Sequence, residues 1–227
     1  DKAYSQNSET NHYLKRLNVK NIQSIGNMKF IEDDNIKSDK SDKKLFSQFK
    51  KYKTFIAAST HETEELFAAK THILLKKKNK NIITIIIPRH INRVKQIIAE
   101  INELGLNVVS RSSKKLKLKG IDIFIVDTFG ETKKFYKFAT TVFLGKSIIK
   151  GGGQNPLEPA RFGAKILHGP DVNNFKDVYK YLRKLKISSV VNSPQKCADS
   201  IIFKKNMKKV QKMKYLGSTI LKKTLNE

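Results

Sequence analysis

The stretch with the clearest chemical address is Gly151–Pro170, GGGQNPLEPARFGAKILHGP. Three glycines end a loop. Asn155 stands where a helix would start, and Pro156 occupies the first helical position, where its missing N–H costs nothing. Glu158 follows Asn155 at capping-box spacing, with Asn in place of Ser or Thr. The pattern predicts a helix to about Phe162, a stop at Gly163 and a strand over Lys165–His168. A glycine loop feeding a helix N-terminus suits an anion, because free N–H groups and the helix dipole face the same point. An ordinary, well-capped loop–helix junction has the same signature.

Three further polar clusters precede it: Ser59-Thr60-His61, Pro88-Arg89-His90 and Asp127 to Glu131. Each follows an apolar run. Phe55–Ala58 leads to the first and a helix follows it, with Leu66, Ala69, Ile73 and Leu74 expected on its inner face. Ile82–Ile87 is a continuous β-branched run, as in a strand buried on both faces. A helix over Asn92–Leu104 follows, with Val94, Ile97, Ile98 and Ile101 inward and Gly105 as its stop. Strands are expected at Val108–Arg111, Ile121–Val126, Val142–Leu144 and Ser189–Val191, and helices at Thr132–Ala139 and Phe175–Leu185. Strands alternating with helices predict an α/β, doubly wound Rossmann-like domain with a mostly parallel sheet. Such sheets bind ligands at the carboxyl ends of their strands, where all four clusters fall.

Arg89, Lys146 and the helix starts after Ser59 and Gly153 supply anion-binding parts. Glu158 could accept hydrogen bonds from the paired hydroxyls of a ribose, or simply cap its helix. His61 could donate to a phosphate, or be a satisfied surface histidine. No Cys/His/Asp cluster has metal-ligand spacing, no Ser-His-Asp arrangement suggests itself, and no cofactor is implied.

Upstream, residues 1–30 carry a short helical pattern with Tyr13, Leu14 and Leu17, then a strand at Ile22–Ile25. Residues 31–53 read as a polar linker with one helical turn, and 54–227 as the Rossmann-like domain with a C-terminal helix. The last ~30 residues are expected to be helical, with Phe203, Met207, Val210, Leu216 and Ile220 roughly on one face. The chain starts at Asp1 and is expected to be a piece of a longer protein. It carries one cysteine, Cys197, which excludes an internal disulfide. No apolar run approaches a membrane span.

The formal net charge is +26, from 46 Lys and Arg against 20 Asp and Glu. Such an excess suits nucleic acid or an anionic membrane surface, and equally a genome rich in A and T. The lysines are spread through the chain, and no aromatic interleaving marks an RNA-binding pattern, so no nucleic-acid partner is expected.

Ala57-Ala58-Ser59-Thr60-His61-Glu62, Pro88-Arg89-His90, Asp127-Thr128-Phe129-Gly130-Glu131 and Gly152 to Pro159 occur in the order and spacing of bacterial 3-deoxy-D-manno-octulosonic acid (Kdo) transferases. Gly26-Asn27-Met28-Lys29-Phe30 resembles the segment joining that family's two domains. The resemblance implies the C-terminal, donor-binding half of a GT-B glycosyltransferase. The donor would be CMP-Kdo, and the acceptor a lipid A precursor at the cytoplasmic face of the inner membrane. By the same resemblance Pro88 and Arg89 border the cytosine, and Phe129, Gly130 and Glu131 form another wall of the CMP pocket. Asn155, Pro156, Leu157 and Glu158 hold phosphate and ribose, while Ser59 and His61 lie near the phosphate or sugar; Lys146, by its charge rather than by the resemblance, is a further candidate for such a contact.

Departures from the pattern are Phe129 for the usual Met, Gln154 for His and Lys146 for Gly, the last implying a differently shaped loop. The family's general base is a glutamate of the N-terminal half, so no catalytic residue is assigned here, and this chain alone is expected to bind CMP without transferring sugar. The final helix, with eight lysines between Lys204 and Lys223, could lie on anionic lipid, but packing of its apolar face is the favoured reading. Two other functions stay open at this point: a GT-B enzyme using a UDP-sugar, and a basic nucleic-acid-binding protein.

Overall fold

The computed structural model describes residues 2–6, 8–25, 40–113, 117–205 and 211. The chain divides into two compact units, Asp1–Asn35 with Met207–Glu227, and Ile36–Asn206. In the first, β1 (Ala3–Ser5) pairs in parallel with β2 (Ile22–Ser24) across α1 (Ser8–Arg16). No residue of α1 is buried, and Tyr13 and Leu17 are exposed. The expected strand is thus present, with a partner strand the sequence did not announce.

The second unit begins with α2 (Lys40–Phe49). A ten-residue helix therefore stands where one turn within a linker is expected. The physical reason is its inner stripe: Asp42, Leu45 and Phe49 recur at helical spacing and are buried, although lysines dominate the segment. Phe49 meets Phe124 edge-on at 5.1 Å between ring centroids and packs near Phe135.

The sheet has seven parallel strands in the order β5-β6-β4-β3-β7-β8-β9. They are β3 (Lys53–Thr60), β4 (Ile82–Pro88), β5 (Val108–Ser110), β6 (Ile123–Ile125), β7 (Thr141–Leu144), β8 (Lys165–His168) and β9 (Ser188–Val190). Leaving out the edge strand β5, the order is that of the doubly wound dinucleotide-binding fold, with β3 first in sequence and central in space. Every residue of β4 is buried, as its unbroken β-branched run requires.

The crossovers are α3 (Glu64–Lys78), α4 (Val94–Asn102), α5 (Thr132–Tyr136), α6 (Leu157–Arg161) and α7 (Lys176–Lys184). In α4, Val94, Ile97 and Ile101 are buried as expected, and Ile98 is half-buried. In α3 the inner face is rotated. Phe67, Ala68, Thr71, His72 and Leu75 are buried with Ala69, whereas Leu66, Ile73 and Leu74 are only half-buried. The sheet accepts His72 because Thr84 and Asp122 stand opposite its two ring nitrogens, at 2.9 and 3.4 Å. A polar network thus displaces part of the apolar stripe that the sequence favours.

After β9 comes α8 (Pro194–Ser200), unannounced by the sequence reading, with the Ser193 hydroxyl accepting from the N–H of Lys196. Residues 201–205 are not helical, yet Phe203 packs against the core with the Lys53 ammonium 5.1 Å from its ring. Apart from residue 211, which is helical, the rest of the expected terminal helix, including Met207, Val210, Leu216 and Ile220, lies outside the described residues, as do Gly26–Phe30.

Candidate functional site

The order in which strands are added reverses between β3 and β7, the point at which a doubly wound sheet opens a crevice beyond its carboxyl ends. The four polar clusters assemble around it. Beyond β3, β4 and β6 lies a cleft of about 570 Å³ whose lining includes Ser59, Pro88, Arg89, Phe129 and Gly130. These five are expected site residues brought together by the fold.

β3 ends irregularly. Its register with β4 slips between Ala58 and Thr60, and Ser59 adopts φ +53°. This bulge turns the strand end toward the cleft. The N–H of Arg89 donates to the Thr60 carbonyl at 2.9 Å, tying the ends of β3 and β4 together. Phe129 is 80 % exposed, which is unusual for so large an apolar ring and leaves a flat face at the cleft.

His61 stands beside His90, ring edge to ring face at 5.5 Å. Its Nδ1 lies 3.1 Å from the Ser59 carbonyl, so Nδ1–H donates there and Nε2 is an acceptor in the neutral ring. Burial holds its pKa below the ordinary value. The expected donation to a phosphate therefore requires His61 to take up a proton at Nε2.

The glycine loop differs from expectation in one respect that matters. Its N–H groups are not open. Gly151 and Gly152 donate to Oδ2 of Asp171 at 2.8 and 3.2 Å, and Gly153 donates to the Lys146 carbonyl at 2.7 Å. A second nest, at residues 146–148, is likewise filled from within. Glu64, fully buried, accepts from the N–H groups of His61 and Lys146 through Oε2, at 3.0 and 2.7 Å. Its Oε1 accepts from Ser147 and Ile148, each at 3.0 Å. The geometry that elsewhere cradles a phosphate here holds a carboxylate of the chain itself. Gly145 is needed beneath it, since a Cβ there would stand 2.4 Å from the Ser59 carbonyl oxygen and 2.6 Å from Glu64 Oε2.

Lys146 takes φ +56°, the left-handed conformation a glycine would adopt. The loop thus keeps a glycine-like backbone at this position despite the departure, at a cost of about 1–2 kcal/mol. The Lys146 stem covers Gly151, where a Cβ would come within 2.5 Å of Cγ.

Residues 154–158 continue the chain from this loop into α6. Pro156, not Asn155, is the N-cap of α6, and Asn155 Oδ1 accepts from the Leu157 N–H at 3.1 Å. The expected capping box is replaced by this tighter turn, because α6 has only five residues and starts at Leu157. Leu157 is fully buried and Pro156 is buried, fixing the turn from below. Glu158 is half-buried with Oε1 3.6 Å from Lys133 Nζ, and Lys133 follows Thr132 of the cleft lining. Glu158 thus stands beside α5, and none of Asn155 to Glu158 lines the cleft.

Glu131 does not line the cleft either. Its carboxylate accepts from Arg111 Nε and Nη2 at 3.1 and 3.3 Å, from Lys134 Nζ at 3.1 Å, and from the Thr128 hydroxyl. Burial alone would raise its pKa, but these donors outweigh it and hold the group down to about 2. Of the three residues expected to form this wall, Phe129 and Gly130 line the cleft and Glu131 does not.

The sequence reading missed Glu64 and Glu65. Glu65 is 1 % exposed and faces Arg93 at 3.5 Å, and burial raises its pKa. Adjacent acids in a first helical turn read only as dipole-favourable, and nothing local ties Glu64 to residues 146–148. Among the described residues no group of three or more His, Cys, Asp or Glu side chains could hold a metal ion. No described helix is long and apolar enough to cross a membrane.

No family model matches the chain. Curated relatives do. A 3-deoxy-D-manno-octulosonic acid transferase of Rickettsia bellii is 32% identical over 177 residues, 78% of this chain and 42% of the relative. The Rickettsia felis protein of the same name is 34% identical over 164 residues, 72% of this chain and 35% of the relative. The chain thus spans about two fifths or less of the length of these relatives. Among solved structures, the C-terminal CMP-Kdo binding domain of WaaA from Acinetobacter baumannii matches with a TM-score of 0.64 at 20% identity. The match covers 86% of this chain and 98% of that one. A trehalose-6-phosphate synthase shares the fold at a TM-score of 0.54 and 8% identity. The chain is therefore a relative of the Kdo transferases, with the fold of the C-terminal half of a GT-B glycosyltransferase.

Proposed function

We propose that this chain supplies the donor-binding half of an enzyme that transfers Kdo from CMP-Kdo to a lipid A precursor at the cytoplasmic face of the inner membrane. The observation that carries the reading is the cleft itself. An exposed aromatic ring, Phe129, lines the same cleft as Pro88 and Arg89 at the carboxyl edge of the sheet. A pyrimidine would stack on Phe129, with Arg89 near its edge. The ribose hydroxyls would reach Glu158, and the phosphate would sit toward residues 154–158 and a protonated His61.

The chemistry of this half is leaving-group stabilisation. As an acceptor hydroxyl attacks the anomeric carbon, the bond to CMP breaks and charge builds on its phosphate. Preorganised N–H groups and cations lower that barrier without reorganising. The general base is assigned to the family's N-terminal half, and the chain spans only part of its relatives. The names of the curated relatives favour this reading over a UDP-sugar enzyme, because the fold alone is shared with synthases of other sugars. Nucleic-acid binding would leave the clustered loops without a role.

Calorimetric titration of the chain tests the proposal. CMP is expected to bind more tightly than UMP, without added magnesium, and Glu158→Ala to weaken CMP by about tenfold through the lost ribose contact. Equal affinity for UMP, or tight and strongly salt-dependent RNA binding in its place, would overturn the assignment.

A further inference from the structure

Phe129 has little packing of its own, so the backbone of the Asp127–Glu131 loop decides where its ring stands. That loop is held from outside. Asp127 accepts from the N–H of Ser112 at 2.9 Å and from its hydroxyl at 2.5 Å. Glu131 is gripped by Arg111, which follows β5, and by Lys134 of α5.

Both cations are in turn shared with one distant carboxylate. Arg111 Nη2 donates to Asp42 Oδ1 at 2.8 Å, and Lys134 Nζ donates to Asp42 Oδ2 at 2.8 Å. Asp42 is 1 % exposed and lies on α2, within the segment that reads as a linker. It does not line the cleft. Two cations thus stand between two carboxylates, one on α2 and one at the end of the wall loop. Removing Asp42 would leave both cations competing for Glu131 alone, and the fork of Arg111 would lose one of the two groups that fix its plane.

We propose that Asp42 is a positioning residue for the nucleotide site: acting through Arg111 and Lys134 on Glu131, it sets the wall loop so that Phe129 presents its face to the base. The inference rests on the reading of the cleft as the CMP site. It makes α2 a working part of that site.

A double-mutant cycle on CMP affinity tests it, using Asp42→Asn, Phe129→Ala and the pair, with thermal melts alongside. Each single change is expected to weaken CMP by about tenfold, the scale of one stacked base. In the Phe129→Ala background Asp42→Asn is expected to change affinity by less than about twofold. Ribose 5-phosphate, which lacks the base, is expected to bind all four proteins equally. A lower melting temperature with unchanged CMP affinity would overturn the inference, and so would additive losses in the pair. If Asp42→Asn does not fold, Arg111→Lys keeps the charge, loses the fork and enters the same cycle. Failure of the unaltered chain to bind CMP would overturn the CMP reading itself and this inference with it.

Discussion

Replacing Glu64 by Gln is expected to destabilise the unit that carries the sheet by about 3–5 kcal/mol. The carboxylate accepts from four backbone N–H groups, those of His61, Lys146, Ser147 and Ile148. A carboxamide has one oxygen to offer. Its NH₂ would face two buried donors in the position where an acceptor now stands. Each buried donor left unsatisfied costs about 1–3 kcal/mol, and bonds to a charged acceptor are the stronger kind. The loss should appear as a fall in melting temperature of about 10 °C for a unit of this size. The site should suffer as well, since Glu64 joins the end of β3 to the loop after β7. The melting curves of the two proteins at neutral pH decide the matter. A loss under about 1 kcal/mol would mean that the loop relaxes and finds other acceptors.

The second large effect is a dependence on acid. His168 ends β8, is fully buried, and packs against Tyr179 with the rings tilted at 53° and their centroids 4.3 Å apart. Its Nδ1 lies 2.6 Å from the Gly169 carbonyl, so Nδ1–H donates there. Its Nε2 has no partner among the described residues. Burial, with a smaller push from Arg183, lowers its pKa to about 4. The unfolded chain takes up this proton near pH 6.5, and the folded chain only near 4. Between those values the unfolded state binds more protons, so stability falls as pH falls. Each pH unit is worth about 1.4 kcal/mol, which makes the loss about 3 kcal/mol across the window. Above pH 6.5 this group contributes no slope. Melting temperatures from pH 8 to 4.5 should show the fall, and His168→Phe, which keeps a ring against Tyr179, should flatten it. Parallel curves for the two proteins would assign the acid sensitivity to other groups.

Both effects arise at the carboxyl edge of the sheet, where Glu64 and His168 are fully buried. Glu64, Asp171, Glu131 and His168 bond to loops at or near that edge. These groups hold the loops in shapes their local sequence does not favour alone, such as the left-handed backbone at Ser59, Thr63 and Lys146. Preorganisation of this kind is what a site that stabilises a departing phosphate requires.

The fold was legible because its signals are local and periodic. β4 is one β-branched run, α4 shows its stripe at helical spacing, and Gly105 and Gly163 end helices with positive φ. The alternation of strands and helices then restricts the sheet to parallel pairing with the polar clusters on one edge. Ser59, Pro88, Arg89, Phe129 and Gly130 could be named in advance for that reason, and the structure gathers them around one cleft.

Which groups remain available to a ligand was decided only in three dimensions. A glycine loop reads as open donors, but Asp171, some twenty residues on, occupies two of them. Glu64 reads as a helix-start acid, yet it closes a nest more than eighty residues away. Glu131 reads as a wall residue and is turned to Arg111 and Lys134, while α2 hides its packing stripe among lysines. The sequence by itself determined the order of elements and the edge where the chemistry lies, because backbone periodicity and turn chemistry are short-range. The tertiary structure decided how the polar groups are paired. A buried carboxylate takes whichever donors the packed chain brings within 3 Å, and sequence distance does not enter that choice.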